Sequence, residues 1–305
     1  MYLICISTKA EVLSLVPILN PTRKERAVVL DPEQPLHVYE VKGGVPPSYL
    51  DLEGLLGVWP EADYTYLFFT APADTTLRSF FREHPEFRLT RHYQLDYGQW
   101  QQIAPQEPLV IDRFKIITKQ QQVQLAPGEI LLWIDPGVIF GSGLHPTTRS
   151  CLRALLTLYR ENKPSKVLDL GTGTGILAIA AAKLGAASVE ALDLNPMAIA
   201  TAAANCRRNG VAGRVRLRKA DAHQHLPAAE LVCVNIHFDF LETFFKGTKL
   251  CRYRWAIVGG FLIQKLQEVV ELLPTCAELK EPKVEETGWV TLILEIDRQR
   301  MRPND

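Results

Sequence analysis

The chain has 305 residues, 47% of them hydrophobic and 22% charged, an ordinary globular composition with room for two domains of about 150 residues each. Thirty-four basic residues balance thirty-four acidic ones, so bulk charge gives no reason to expect a nucleic acid or an anionic membrane as partner. The six cysteines (Cys5, Cys151, Cys206, Cys233, Cys251, Cys276) contain no C-x-x-C pair, which argues against a metal or redox pair and predicts reduced, mostly buried thiols.

At the N-terminus, MYLICISTKAEV lacks a basic leader, and no run in the chain is long enough to span a bilayer, so a cytoplasmic protein is expected. LICIS reads as a strand, TKAEVLSLVPIL as a helix strained by Pro17, and LHVYEVK as an alternating strand that GGVPPS then breaks. A short helix over Leu50 to Leu56, a strand at Tyr64 to Phe69, a helix at Asp74 to His84 and a strand near Phe87 to Tyr93 complete a small α+β module, residues 1–95. Its aromatic residues Tyr64, Tyr66, Phe68, Phe69, Phe80 and Phe81 fall on alternating strand and helix positions and are read as core rather than as a binding face.

From Leu95 to Gly128, glutamines interleave with Pro105, Pro108 and Pro127, which marks a connector at residues 96–128. Inside it PLVIDRFKIITK alternates as a strand does, so order is expected there. A second domain follows over residues 129–305. Its first strand ends at Asp135, a loop with Pro136, Gly137, Gly141 and Gly143 comes next, and a helix begins near Pro146 with Thr147 and Thr148 in its first turn.

The most informative stretch is KVLDLGTGTGILAIAAAKLGAASVEALDLNPMAIATAAANC. An apolar run from Val167 to Leu170 meets the glycines Gly171, Gly173 and Gly175, and an alanine-rich helix starts at once, the pattern of a buried parallel strand feeding a helix. Glycines let the backbone approach a ligand closely, and the N–H groups that open the helix offer hydrogen bonds. The next apolar run ends at Asp193, where a carboxylate can accept both hydroxyls of a ribose. In the dinucleotide fingerprint the third glycine comes three residues after the second; here Ile176 occupies that position, which disfavours NAD and FAD. Beyond this stretch lie Asp221 in KADAHQHL, Asn235 after LVCV, then His237 in NIHFDF, and a closing strand GWVTLILEI.

GTGTG with an acid ending the following strand resembles the S-adenosylmethionine site of class I methyltransferases. DPGVIFGSGLHPTT together with that turn and ALDLNPMAIATAAANCRRNGV resembles PrmA, the methyltransferase family that modifies a protein of the large ribosomal subunit on amino groups. The similarity covers roughly residues 96–296, whereas the first ninety-odd residues match in domain position alone. It implies a Rossmann-like, doubly wound α/β domain with a mostly parallel seven-stranded sheet behind a smaller N-terminal α+β domain, and S-adenosylmethionine as cofactor. It further implies cofactor contacts at Thr148, Gly171, Asp193 and Asn235, with Gly173 and Gly175 in the same turn. Asp169 either binds the cofactor indirectly or orients the loop; Asp221 either faces the adenine amine or is a solvated loop carboxylate.

Two departures from the family lie where an acceptor would enter: Leu144 in place of a threonine, and NIHFDF in place of an asparagine followed by two aliphatic residues. Asn235 and His237 are the candidate catalytic residues, His237 as base for an incoming amine, although a lone histidine at a strand end is more often hydrogen-bonded than catalytic. His145 is read as a loop organiser. His223 and His225 are read as solvated, since no third ligand is spaced to join them in a metal site. The basic run Arg207, Arg208, Arg214, Arg216, Arg218 and Lys219 is read as a solvated face rather than an RNA surface. The expected acceptor is a protein amine, on a large-subunit ribosomal protein if the family holds. A small-molecule or RNA methyltransferase, or a non-catalytic S-adenosylmethionine-binding regulator, are the competing readings.

Overall fold

The computed structural model describes residues 3–6, 27–30, 35–46, 49, 52–61, 64–96, 107–118, 122–136, 139, 141–246, 249–280, 283–284, 288–297 and 299. The chain divides into two compact units, Met1–Gln106 and Glu107–Asp305. The helix expected over TKAEVLSLVPIL lies outside the described residues.

In the first unit, β1 (Leu3–Ile6) pairs in parallel with β2 (Ala27–Leu30). A separate antiparallel sheet runs β4-β5-β3-β6, from β3 (Pro35–Lys42), β4 (Leu55–Glu61), β5 (Tyr64–Phe69) and β6 (Arg88–Asp96). Helix α1 (Asp74–Glu83) buries Leu77 and Phe80 three residues apart, and these join Tyr39, Val41, Leu67 and Phe69 in one core. The Tyr39 hydroxyl accepts the Ala73 N–H at 2.8 Å and so fixes the start of α1 against the sheet. Of the helix expected over Leu50 to Leu56, the described residues 52–56 form a turn and the start of a strand instead. Gly54 has φ +78° in a turn closed by Leu55 N–H to Leu52 C=O, and the chain then enters β4, an edge strand that tolerates Pro60.

The second unit opens with β7 (Leu109–Ile111), β8 (Phe114–Ile117) and β9 (Ile130–Trp133) in one three-stranded sheet. The single strand expected across PLVIDRFKIITK is thus a hairpin, because Asp112 takes φ +48° and turns the chain back on itself. Then follow α2 (Pro146–Glu161), β10 (Lys166–Leu170), α3 (Ile176–Leu184), β11 (Ser188–Asp193), α4 (Pro196–Arg208), β12 (Val215–Lys219), β13 (Leu231–Asn235), α5 (Phe238–Phe245), β14 (Trp255–Leu262), α6 (Leu266–Leu272), β15 (Ala277–Leu279), β16 (Lys283–Val284) and β17 (Trp289–Ile296).

The large sheet runs β12-β11-β10-β13-β14-β17-β15, with the two-residue β16 also on β17. From β12 to β14 every pairing is parallel, and β17 is antiparallel to both its neighbours. Both faces are covered, which is why the strands read as unbroken apolar runs. Val167, Leu231 and Ile257 pack with Leu152, Leu155 and the alanines of α3 on one face, while Leu168, Val232 and Ala256 pack with Phe244, Phe245 and Val269 on the other. Among the described residues no helix is long and apolar enough to cross a membrane.

Not all of the cysteines are reduced. Cys251 and Cys276 form a disulfide that joins a short 3-10 turn to the start of β15, while Cys151, Cys206 and Cys233 are free and buried. Twenty-five residues separate the bonded pair, so nothing in their spacing announces it.

Candidate functional site

Between β10 and β13 the strand order reverses, and open α/β sheets take their ligands at such a point, outside the carboxyl ends of the strands. The turn after β10 is shaped for close approach. Gly171, Gly173 and Gly175 have φ of 66°, 54° and 84°, a region where a side chain costs about 1–2 kcal/mol. A Cβ on Gly171 would also meet the Ile236 side chain at 2.7 Å. Gly175 N–H donates to the Thr172 carbonyl and Thr172 N–H to the Leu192 carbonyl, both at 2.8 Å, so the turn is locked to β11.

Two carboxylates hold this turn from different sides. Asp169, 2% exposed, accepts the Thr172 hydroxyl at 2.6 Å. Burial pushes its carboxyl up to about 7, against the pull of Thr172 and the Ala178 N–H. From that position it orients the loop from beneath. Asp193 accepts the Gly173 N–H at 2.9 Å on one oxygen and the Asn195 N–H at 2.8 Å on the other. It therefore ties the glycine turn to the start of α4, and each oxygen keeps a further lone pair. Burial raises the Asp193 pKa while the N–H groups of Asn195, Gly173 and Leu194 oppose that shift.

Helix α2 leads into β10 and packs on β14 and β17, so its N-terminus stands at the same carboxyl edge of the sheet. His145 is its N-cap, with Nδ1 accepting the Thr147 N–H at 3.3 Å and lying 2.8 Å from the Thr147 hydroxyl. Thr148 comes next, wholly buried, and its hydroxyl has no partner. At the end of β13 the Asn235 Oδ1 is also buried without a partner. Four buried side-chain oxygens among the described residues lack a partner, on Thr148, Ser150, Asn235 and Tyr253, each at a cost of about 1–3 kcal/mol; Thr148 at the start of α2 and Asn235 at the end of β13 lie at the carboxyl edge of the sheet.

Asp221 accepts the His223 N–H and the Gln224 side-chain amide, both at 2.8 Å, and so folds its own loop. The expectation that His223 and His225 are merely solvated is corrected. His225 Nε2 lies 3.0 Å from Glu190 Oε1, which also accepts Arg218 Nε at 3.0 Å; burial pushes the Glu190 carboxyl up, but these two partners hold it below its ordinary value. His223 packs on the Phe240 ring at 4.4 Å and lies 3.1 Å from the Thr243 hydroxyl. The Asp221 loop is thereby fastened to β11 and to α5. His237 is exposed at the N-cap of α5, where its side chain does not cap the helix. In the basic run, Arg208 pairs with Asp135 at 3.1 Å and Arg218 with Glu190, while Arg207, Arg214, Arg216 and Lys219 are exposed.

Sequence reasoning passed over two residues that build the site. Asn205, fully buried on α4, donates to the Thr174 and Asp135 carbonyls and accepts the Asp135 N–H, each at 3.0 Å. Asn209, one turn later, makes the same two-way bond with Trp133. The signal was available as two asparagines spaced i, i+4 at the end of an alanine-rich helix. The glycine loop upstream is drawn in as well, since the Thr174 hydroxyl donates to the Gly141 carbonyl at 2.7 Å.

A model of the family described as Ribosomal protein L11 methyltransferase (PrmA) matches residues 83–296. A ribosomal protein L11 methyltransferase from an Exiguobacterium species is 37% identical over 191 residues, 60% of this chain and 59% of its own. Its counterpart from Pelotomaculum thermopropionicum is 38% identical over 168 residues, 54% of each chain. The chain thus spans 59% and 54% of the length of these two curated relatives. The crystal structure of a ribosomal protein L11 methylase from Lactobacillus delbrueckii subsp. bulgaricus superposes with a TM-score of 0.57 at 24% identity, covering 63% of this chain and 99% of that one, a likeness of fold.

Proposed function

Since the chain belongs to the ribosomal protein L11 methyltransferase (PrmA) family and has the class I methyltransferase fold, we propose that it is a cytoplasmic enzyme that transfers methyl groups from S-adenosylmethionine to amino groups of a protein, with a large-subunit ribosomal protein as acceptor. The observation that carries this reading is the pair of buried, unpartnered oxygens on Thr148 and Asn235 at the edge of the sheet that also bears the glycine turn and Asp193. A polar cofactor that carries both hydroxyl and amino groups fits that edge. Thr148, Gly171, Gly173, Gly175, Asp193 and Asn235 would hold it, Asp193 at the ribose and Asp221 at the adenine, with Asp169 acting through the turn.

When bound, S-adenosylmethionine supplies an electrophilic methyl carbon on a sulfonium. In-line displacement at that carbon needs a neutral nucleophile held in place, so the protein's part is to position an amine and relieve it of its proton. Asn235 offers a carbonyl oxygen for an amine N–H, and Phe238 and Phe240 at the start of α5 offer apolar surface that favours the uncharged amine. His237, exposed at the same point, is the candidate base that passes the proton to solvent. The N-terminal unit is assigned to recognition of the acceptor.

Replacing Asp193 by Ala removes a charge-assisted pair of hydrogen bonds to the ribose, on the order of 2–3 kcal/mol, and so weakens S-adenosylmethionine binding tens- to hundreds-fold. Calorimetry with S-adenosylmethionine and with NAD reads this directly; tight NAD binding, or an unchanged affinity in the variant, overturns the assignment. Labelled S-adenosylmethionine in a lysate, followed by nuclease or protease treatment and mass spectrometry, identifies the acceptor. Label on a lysine or N-terminal amine of one ribosomal protein supports the reading, whereas label in RNA or in a small metabolite, or no transfer at all, rejects it.

A further inference from the structure

At the opposite, amino edge of the large sheet lies a cavity of about 340 Å³ that takes no part in the site described above. Five cationic side chains line it, Arg113, Arg153, Arg160, Lys163 and Lys183, with Asp112 as the single carboxylate. The asymmetry is local, because the chain as a whole carries no net charge. Arg153 lies 3.8 Å from Asp112, and Arg113 donates to the Gly128 carbonyl at 2.6 Å. Among the described residues, Arg160, Lys163 and Lys183 have no carboxylate within ion-pair distance.

Helix ends explain part of this. Arg160 and Lys183 stand in the last turns of α2 and α3, where the exposed carbonyls favour a cation. That accounts for one charge at each helix and leaves the convergence of Arg113 from the β7–β8 hairpin, Arg153 from mid-helix and Lys163 from the following loop unexplained. The convergence has an electrostatic cost. Burial and the nearby Arg214 guanidinium hold the Lys183 ammonium below its ordinary value, a penalty that an anion in the cavity would relieve. A volume of this size is at the small end for ligand sites, and five cations from four elements outnumber what a single phosphate needs.

We propose that this cavity binds a ligand presenting two or more adjacent phosphates, as a pyrophosphate-bearing nucleotide or a stretch of RNA backbone does. Such a ligand places charge on several cations at once and needs no base recognition. The site is about 20 Å from the Thr148 end of α2, given 1.5 Å of rise per helical residue, so it can be altered without touching the cofactor residues.

The test uses the full-length protein with two probes, inorganic pyrophosphate by calorimetry and a fluorescent ten-nucleotide single-stranded RNA by anisotropy. The variants are Arg160→Glu with Lys163→Glu and, as a milder pair, Arg160→Gln with Lys163→Gln; all four changes are at exposed positions. Retained S-adenosylmethionine binding and an unchanged circular dichroism spectrum report that each variant is folded. The expected result is binding that weakens about tenfold or more in the Glu pair, less in the Gln pair, and falls steeply with salt. Pyrophosphate alone binding identifies a free phosphate ligand as the source, and RNA alone binding identifies the nucleic acid backbone. Neither probe binding, or both binding equally well to the wild type and the Glu pair, overturns the proposal.

Discussion

Asp169 is the residue whose chemistry is most altered by the fold. Its carboxyl is pushed up to about 7 by burial, while in the unfolded chain it titrates near about 4. The folded state therefore holds that proton more tightly than the unfolded state does. Stability from this group is present below the unfolded value, declines as pH rises through the interval from about 4 to about 7, and is level above it. Replacing Asp169 by Asn removes the titration and keeps an oxygen for the Thr172 hydroxyl. Relative to the wild type, the variant should gain stability between pH 5 and pH 8, by on the order of 2–3 kcal/mol. Urea midpoints measured across that range decide the matter, and parallel curves for the two proteins would show that Asp169 is not protonated by burial.

Helix α4 acts as a substitute strand at the scale of elements. Asn205 and Asn209 point amides at Trp133 and Asp135 as a neighbouring strand would, and Asn205 also reaches the Thr174 carbonyl in the glycine turn. The two substitutions should differ in kind. Asn205→Ala leaves buried backbone groups unpaired and should cost about 2–4 kcal/mol while also weakening S-adenosylmethionine binding, because the turn loses a restraint. Asn209→Ala should cost less and leave cofactor affinity unchanged, since its bonds go to Trp133 and to its own helix. Equal effects of both on cofactor affinity would contradict the assignment of Asn205 to the turn.

For the molecule as a whole, the question is what the N-terminal unit contributes. Every residue of the candidate site lies in Glu107–Asp305, and the sequence of residues 1–106 carries no strand–glycine-rich–helix motif of the nucleotide-binding kind. Deleting residues 1–106 should leave S-adenosylmethionine affinity largely intact and abolish transfer to the natural acceptor. Normal methylation of that acceptor by the shortened protein would move substrate selection into the second unit.

The large sheet and its glycine turn were legible from local pattern, because a strand buried on both faces needs an unbroken apolar run and a turn with φ above zero needs glycine. Val167 to Leu170, Gly171, Gly173, Gly175 and Asp193 carry that information within some thirty residues. Local pattern misled where a turn had no strong local marker. Gly54 and Asp112 redirect the chain, so the end of an expected helix is instead a turn leading into an edge strand, and one expected strand is a hairpin. Other features depend on residues far apart in sequence. The Cys251–Cys276 bond, the anchoring of His223 on Phe240, the reach of Asn205 to Asp135 across 70 positions and the gathering of cations from four elements into one cavity all follow from the packing of elements. Sequence periodicity reports which face of an element is apolar; which distant side chain meets that face is decided only when the chain closes on itself, and there the tertiary structure alone could answer.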